Sequence, residues 1–146
     1  MLEMAIDRIN INLRTGPDVV DLTAGIQTAV DRSGVAHGLV SAFMKGSTGS
    51  ITTIEFEPGV VEDLKDAVNR LAPPNRDYAH ERAWHDGNGH SHVQAALMGP
   101  SMTIPIRRGR LHLGTWQQVV AVNHDNRARK RTVELTIIGQ KSADRR

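Results

Sequence analysis

Residues 101–139 read SMTIPIRRGRLHLGTWQQVVAVNHDNRARKRTVELTIIG, and this stretch decides the fold class. It is rich in β-branched and other apolar residues, and short turn signals such as Arg107-Arg108-Gly109 interrupt it. This pattern predicts three or four strands joined by tight turns.

The first hundred residues add more strands and single helices. Three strands are predicted, at EMAIDRININLR (3–14), VAHGLVSAFM (35–44) and SITTIEFE (50–57). Two main helices are predicted, one from about Asp21 to Gly34 and one from Pro58 to Pro73. A short third helix should begin at a capping box formed by Ser91 and Gln94 and end at Gly99. Because strands dominate, we expect one α+β domain over residues 1–146, a mostly antiparallel sheet or sandwich with two main helices and one short helix.

Helical spacing also predicts which side chains each of the later helices buries. In the second helix these are Val60, Leu64, Ala67, Val68 and Leu71. In the third they are Val93, Ala96 and Leu97.

Composition narrows the class of protein. The 146 residues include no cysteine, which excludes disulfides and thiolate metal sites, and no run of about 18 apolar residues that would span a membrane. We therefore expect a soluble cytoplasmic protein with no membrane partner. The net charge is only +2, and Arg127, Arg129 and Arg131 alternate, as on the solvated face of a strand. Nucleic-acid binding is unlikely on this pattern, because no aromatic residues lie among the basic ones to stack on bases.

The segment HERAWHDGNGHSH (80–92) carries four of the seven histidines. It belongs to a long predicted loop, 75–91, and loops of that length in small domains are usually functional or mobile. Neutral imidazole is the commonest metal ligand, so His80, His90 and His92 are candidate ligands, with Asp86 completing the set. The alternative is that these are surface histidines of a polar loop, since their spacing matches no well-defined zinc motif. Trp84 indicates that the loop packs against the protein.

Two glycine-containing turns could bind an anion. The first, DGNGHS (86–91), enters the short helix, where backbone N–H groups of Gly87, Asn88, Gly89 and Ser91 could surround a phosphate. The second, KGSTGS (45–50), offers Ser47 and Thr48. The alternatives are a plain Asn-Gly turn and a polar hairpin.

The segment from Tyr78 to Arg131 resembles the YjbQ-like family, also called secondary thiamine-phosphate synthases. The matching features are Tyr78-x-His80, Ser91-His92, Gly99-Pro100-Ser101 and the run GTWQ (114–117). The upstream STGSITTIEFEPGVVEDL is also similar to that family, so that the likeness covers nearly the whole chain. The resemblance implies an α+β domain that forms a homotrimer with sites near subunit contacts, and an activity that joins a pyrimidine pyrophosphate to a thiazole phosphate.

The same resemblance implies a His-lined pocket for a phosphorylated small molecule and a divalent metal, Zn or Mg. Asp86, Glu55 and Gln117 are its candidate catalytic residues, and His80, His92 and His90 its candidate metal ligands. Its candidate substrate- or phosphate-binding residues are Ser47, Thr48, Gly87, Asn88, Gly89, Ser91, Trp116, Arg127 and Arg129. Many relatives carry a histidine where this chain has Gly46, and His85, His90 or Asp86 could replace it here. The alternative function is a non-catalytic trimer that binds metal or a phosphorylated ligand.

Overall fold

Eight strands and four helices make up residues 1–143, the part of the chain that the computed structural model describes. In chain order they are β1 (Glu3–Leu13), β2 (Asp18–Asp21), α1 (Thr23–Ser33), β3 (Val35–Met44), β4 (Gly49–Ile54), α2 (Pro58–Leu71), α3 (Ala79–Trp84), α4 (Gly89–Met98), β5 (Ser101–Arg107), β6 (Arg110–Leu111), β7 (Gln118–Asn123) and β8 (Arg129–Lys141).

The strands form two antiparallel sheets. One has five strands in the order β1-β8-β3-β5-β6, and the other has three in the order β2-β7-β4. Apolar residues from both sheets meet in one core, exemplified by Val40, Leu135, Ile51 and Ala121. The predicted single α+β domain with mostly antiparallel sheets is confirmed.

The C-terminal stretch contains four strands, as its pattern predicts. The turn between β5 and β6 places Arg108 at φ 52° and Gly109 at φ 74°. Two consecutive residues with positive φ give the turn a twist that matches antiparallel strands, which is why this short turn can join them. Hence the tight turn at Arg107-Arg108-Gly109 is also confirmed.

Helix α1 contributes to the same core as the sheets. Its buried side chains are Ile26, Ala29 and Val30, and the preceding Leu22 is 2% exposed. The helix begins at Thr23, with Leu22 rather than Asp21 at the N-cap, but the Asp21 carboxylate still accepts a hydrogen bond of 2.9 Å from the Thr23 N–H. Gly34 ends the helix in the left-handed conformation, at φ 71°.

Helix α2 begins at Pro58, as predicted, and the Glu57 carboxylate accepts hydrogen bonds from the N–H groups of Gly59 and Val60. These bonds hold the pKa of Glu57 below its usual value. The predicted buried stripe is only partly correct, because Val68 is buried while Leu71 is 66% exposed. The helix therefore lies on the surface, with Val61 and Leu64 packed against Val19, Val120 and Val122 of the three-stranded sheet.

The segment predicted as a loop, 75–91, contains the short helix α3, and the helix α4 begins two residues earlier than Ser91. The capping box is wrong, because Asn88 occupies the N-cap position and both of its predicted members are buried. The Ser91 hydroxyl donates to the His124 carbonyl at 2.6 Å, and the Gln94 amide donates to the carbonyls of Val68 and Ala72.

Helix α4 also buries the opposite face from the one predicted. Its buried residues are Gly89, His90, Ser91, Gln94 and Ala95, whereas Val93 is 41% and Leu97 61% exposed. The reason is that the polar side chains make hydrogen bonds in the interior, which the hydrophobic pattern does not show. Among residues 1–143, no helix is long and apolar enough to cross a membrane.

Candidate metal and anion site

The imidazoles of His80 and His92 lie close together at the surface. His80 is in the first turn of α3 and His92 is near the start of α4, and their ring centroids are 4.7 Å apart. The turn between the two helices makes this approach possible, since α3 ends at His85 in the left-handed conformation, at φ 51°. The chain then reverses direction through Gly87, at φ 73°.

Asp86 completes a group of three potential ligands. Its Oδ1 lies 3.1 Å from the Nε2 atom of His80, and one donor atom each from His80, Asp86 and His92 lies within 4.8 Å of the other two. The N–H group of Asn88 donates to the same carboxylate at 3.0 Å. This hydrogen bond is the largest cause that lowers the pKa of Asp86, so the carboxylate is ionised and available to a cation.

The glycine turn does not offer its amides to a ligand. The Glu81 carboxylate accepts hydrogen bonds from the N–H groups of Gly87, at 2.7 Å, and Gly89, at 2.8 Å. The Asn88 N–H is bound to Asp86, and the Ser91 N–H to the Asn88 carbonyl. The carboxylates of Glu81 and Asp86 therefore already accept the hydrogen bonds that the sequence analysis assigns to a phosphate.

A second loop does offer free amides. Within residues 1–143, the backbone N–H groups of Gly46, Ser47 and Thr48 form no hydrogen bond. The Nη1 atom of Arg131 lies beside this loop, since a Cβ atom at Gly46 would be 3.1 Å from it, and this nitrogen likewise has no acceptor in the part of the chain described. Three amides without an internal partner and a guanidinium nitrogen thus lie in one region of the surface, where they are candidate donors to an anion.

Asp125 holds this loop and the basic strand together. It is 1% exposed, and it accepts hydrogen bonds from the Thr48 hydroxyl at 2.9 Å and the Asn88 amide at 3.2 Å. Arg129 forms an ion pair with it at 2.9 Å. Burial alone would raise the pKa of Asp125, but the hydrogen bonds from Asn88, Thr48 and Arg129 outweigh burial and lower it.

The Thr48 hydroxyl links Asp125 to Arg131. It accepts a hydrogen bond of 2.7 Å from Arg131 Nη2 while it donates to Asp125. Arg131 is also bound through Nη2 to the Asn123 side chain at 2.6 Å, so that only one end of its guanidinium faces outward. The orientation of the cation is therefore fixed before any ligand arrives.

These groups enclose a pocket of about 380 Å³. It is strongly polar, and it is lined by Gly46, Ser47, Thr48, Asp86, Asn88, His92, Asp125, Arg129, Lys130 and Arg131. The group of potential metal ligands and loop 46–48 consequently border one space, with Asp86 and His92 among the residues that line it.

Behind this pocket lies a buried chain of hydrogen bonds centred on His124. Its Nε2 atom is 2.7 Å from the Ser50 hydroxyl, and its Nδ1 atom is 2.9 Å from Gln94 Oε1. Burial, with a smaller contribution from the nearby Arg131, lowers the pKa of His124 to about 4. His124 is therefore neutral at physiological pH, and it connects α4 to β4 and β7.

Gly87, Gly89 and Ser91 do not line the pocket, and five further predicted site residues also lie outside it. His90 points into the interior, where it is 7% exposed and its Nδ1 atom has no partner within residues 1–143. Burial lowers its pKa. Arg127 is exposed and does not line the pocket. Glu55, Trp116 and Gln117 lie at the far ends of β4 and β7, roughly 20 Å from His124 at the usual rise per residue of a strand. There Gln117 lines a separate cleft of about 470 Å³.

The tryptophans are both on the surface. Trp84 is 72% and Trp116 is 73% exposed, so Trp84 does not pack the histidine segment against the core as predicted. The Trp84 ring instead stacks near His80, with 6.5 Å between ring centroids. Trp84 thus lies beside the group of potential metal ligands.

Two central residues were missed from the sequence. Arg131 was assigned to a solvated face because it alternates with Arg127 and Arg129, yet it is 9% exposed and lies under the pocket. Asp125 belongs to the polar run Asn123-His124-Asp125 that follows the apolar part of β7. That run was a usable signal, since polar residues at the end of a buried strand are often held there by hydrogen bonds.

The comparisons with known proteins identify the family. The model of the UPF0047 protein YjbQ-like family matches residues 7–140. The chain belongs to the YjbQ-like family. A UPF0047 protein of Mycobacterium tuberculosis is 34% identical to it over 122 residues, 82% of this chain and 88% of the relative. A UPF0047 protein of Methanothermobacter thermautotrophicus is 28% identical over 123 residues, 84% of each chain.

Solved structures of YjbQ-like proteins share the fold. The protein of Sulfolobus solfataricus superimposes with a TM-score of 0.85 at 29% identity, covering 94% of this chain and all of that one. A protein of Clostridium acetobutylicum gives a TM-score of 0.78 at 36% identity, covering 88% of this chain and 98% of that one. The Sulfolobus protein is described as being of unknown function, so membership of the YjbQ-like family does not by itself assign an activity.

Proposed function

We propose that the pocket binds a divalent metal ion together with a phosphorylated small molecule, and that the protein acts on that molecule. The observation that carries this proposal is the position of His92. It belongs to the group of three potential metal ligands, and it also lines the pocket that loop 46–48 and Arg131 line. A metal and a phosphate bound there would be neighbours.

The donor set is suited to the metal. His80, His92 and Asp86 would hold it, and two imidazoles with one carboxylate favour zinc over magnesium, which prefers oxygen ligands. The three protein ligands would leave a coordination position open. A metal ion bound in this way supplies Lewis acidity, which polarises phosphoryl oxygens and stabilises a departing phosphate.

The remaining groups would bind and orient the phosphate. The N–H groups of Gly46, Ser47 and Thr48 would serve as uncharged hydrogen-bond donors, and Arg131 Nη1 would add a cationic donor. Lys130 and Arg129 contribute positive charge at the border of the pocket. Donors that are already fixed in place lose little entropy on binding and stabilise negative charge as it develops.

A secondary thiamine-phosphate synthase reaction is the specific activity that we propose, following the family resemblance. A pyrophosphate leaving group requires neutralisation of several negative charges, and this pocket supplies cations and amides for that purpose. Asp86 would act as a metal ligand rather than as a base, because its carboxylate is held by the Asn88 N–H and by His80. The second candidate is a non-catalytic binding protein, which the same pocket would also serve.

The test combines metal content, binding and turnover. The purified protein is assayed for bound zinc by elemental analysis and for release of pyrophosphate from a pyrimidine pyrophosphate and a thiazole phosphate. We expect zinc and turnover in the native protein and neither in the double variant His80→Ala/His92→Ala. Full turnover by that variant would overturn the proposed roles, and bound zinc without turnover would favour the binding protein.

We also propose that the protein is a homotrimer. The outer face of the five-stranded sheet carries an apolar row in direct register, formed by Met4, Ile138, Leu39 and Pro105. Met4 is 65%, Leu39 44% and Ile138 41% exposed in a single chain. Exposed apolar rows of this kind favour contact with another protein surface. Analytical ultracentrifugation should give three times the mass of the chain, and Leu39→Glu should shift it toward the monomer; a native monomer would exclude this assembly.

A trimer would also offer a place for the residues at the far end of β7. Glu55, Trp116 and Gln117 cannot reach the histidine pocket of their own chain, but a neighbouring copy could present them to it. Gln117 is held in place by hydrogen bonds to the Gly114 N–H and to the Thr53 hydroxyl. A catalytic role for these residues therefore depends on the proposed assembly.

A further inference from the structure

A second, apolar cleft opens directly beside the polar pocket. It measures about 230 Å³, and Gly46, Ser47 and His92 line both spaces. The other residues that line it are Gly49, Ala95, Ala96 and Pro100. A ligand held by the loop 46–48 could therefore extend into this cleft without leaving the protein surface.

The chemistry of the cleft differs from that of the pocket. Among residues 1–143, the only polar side chains that line it are the hydroxyl of Ser47 and the imidazole of His92. Methyl groups of Ala95 and Ala96 and the ring of Pro100 supply its apolar surface. Such a cleft favours an apolar group and offers almost nothing to a second phosphate.

The register of α4 couples the two spaces. His92, Ala95 and Ala96 stand at positions i, i+3 and i+4, which lie on one face of a helix. The Nε2 side of His92 faces the metal-ligand group, because its Nδ1 atom is taken by the Ser47 carbonyl. One helical face thus carries a potential metal ligand at one end and an apolar surface at the other.

We propose that this cleft selects the organic part of the ligand, and that the ligand is a phosphate ester of a small apolar group such as a single ring or a short branched chain. This inference rests on the proposed function of the polar pocket. The size agrees, since a cavity of about 150 Å³ is enough to hold benzene. The phosphate would lie on loop 46–48 and the apolar group against Ala95 and Ala96.

Two esters of equal charge provide the test. Methyl phosphate and phenyl phosphate are titrated separately into the native protein at pH 8 by isothermal titration calorimetry. Phenyl phosphate should bind roughly tenfold more tightly, which is about the gain expected from burying two methylene equivalents of apolar surface. Equal affinities for the two esters would overturn the assignment of the cleft.

Filling the cleft should remove this preference. Ala96 is exposed, so Ala96→Phe can be accommodated on α4 and should bring the affinity for phenyl phosphate to within about twofold of that for methyl phosphate. Ala67→Phe, the same change at an exposed position of α2 outside the cleft, should keep the native preference. Ala96→Leu, a smaller change, should reduce the preference in part if the phenylalanine variant does not fold.

The outcomes separate the two proposals. If neither ester binds the native protein, the phosphate pocket itself is wrong and the cleft has no ligand. If both esters bind but Ala96→Phe weakens them equally, the phosphate pocket stands and the apolar cleft is not a specificity site. A loss confined to phenyl phosphate supports both.

Discussion

The Nδ1 atom of His92 lies 3.2 Å from the carbonyl oxygen of Ser47. A carbonyl oxygen only accepts hydrogen bonds, so Nδ1 carries the proton and Nε2 keeps its lone pair for a metal ion. A hydrogen bond to the second ring nitrogen is the usual means by which proteins fix the tautomer of a metal-binding histidine. The anion-binding loop thus also orients a candidate metal ligand.

His92→Asn should abolish metal binding while it preserves the fold, because an Asn side chain can still donate to the Ser47 carbonyl but cannot replace Nε2. We expect the affinity for Zn²⁺ in calorimetry to fall by at least the roughly 10–100-fold that loss of an outer hydrogen-bond partner costs. His85→Asn, the same substitution at an exposed histidine outside the group, should bind Zn²⁺ as the native protein does. Equal zinc affinities for the two variants would show that His92 is not a ligand.

Arg131→Gln should weaken phosphate binding more than Arg127→Gln, although both arginines belong to the same basic run of the sequence. Arg131 presents Nη1 to loop 46–48, whereas Arg127 is exposed outside the pocket. A hydrogen bond to a charged group contributes about 1.5–3 kcal/mol, so the dissociation constant for inorganic phosphate should rise at least roughly tenfold. Circular dichroism controls for folding, and Arg129→Gln gives a second reading if Arg131→Gln is unfolded. Indistinguishable constants for the variants at positions 127, 129 and 131 would contradict the site.

Glu81→Ala should destabilise the turn between α3 and α4, because it leaves the N–H groups of Gly87 and Gly89 without their shared acceptor. The expected cost is about 1–3 kcal/mol, or a fall in Tm of roughly 3–10 °C for a chain of this length. Glu81→Gln keeps one acceptor oxygen and should lose less. An unchanged Tm in Glu81→Ala would mean that solvent satisfies both amides equally well.

The stability of the protein should depend on pH through His124. Its pKa is about 4 in the folded state against an ordinary value of 6.5, so the unfolded chain binds a proton between these pH values that the folded chain does not. The free energy of unfolding is therefore unaffected above pH 6.5 and falls as the pH drops toward 4, by at most about 1.4 kcal/mol per pH unit from this group. His90, whose pKa burial also lowers, acts in the same direction.

His124→Asn tests this origin by removing the titrating group. Urea unfolding between pH 4 and pH 6.5 should show a shallower slope of stability against pH in the variant, whatever its absolute stability, because one fewer proton is taken up on unfolding. His37→Asn, at an exposed strand position, should keep the native slope. Equal slopes in all three proteins would assign the pH dependence to other groups.

The sequence predicts most of the strands, because their signal is local, but it misses the short strand β2 (Asp18–Asp21). The strand β3 occupies 35–44, as its β-branched run indicates, and the C-terminal stretch contains its four strands. Leu22, Ile26, Ala29 and Val30, which share one face by helical spacing, are buried. Alternation and helical spacing report burial directly wherever the interior is apolar.

The same rules failed where the interior is polar. Gln94, Ser91 and His124 are buried because each has a hydrogen-bond partner distant in sequence, and no local pattern can supply that partner. The prediction therefore assigns the wrong face of helix α4 to the interior. Arg131 was missed for the same reason, since Thr48 and Asn123 satisfy its guanidinium inside the protein.

The candidate site was predictable in its histidines and not in its anion-binding groups. Residue type alone pointed to His80, Asp86 and His92, and the fold brings them together. The prediction that the glycine turn 86–91 offers free amides is wrong, because the Glu81 carboxylate accepts a hydrogen bond from the Gly87 N–H. Glu81 lies six residues before Gly87, and the two groups come together only once α3 has formed. Loop 46–48 carries the free amides instead.

The length of strand β7 separates two groups of residues in the same chain. Its beginning adjoins Gln117 and its end adjoins His124, so a compound of ordinary metabolite size that touches one end cannot touch the other in the same chain. Combined substitutions at the two ends then become diagnostic. If their effects on turnover multiply, the ends work independently; if mixing two singly defective proteins restores turnover, each working centre is assembled from two chains.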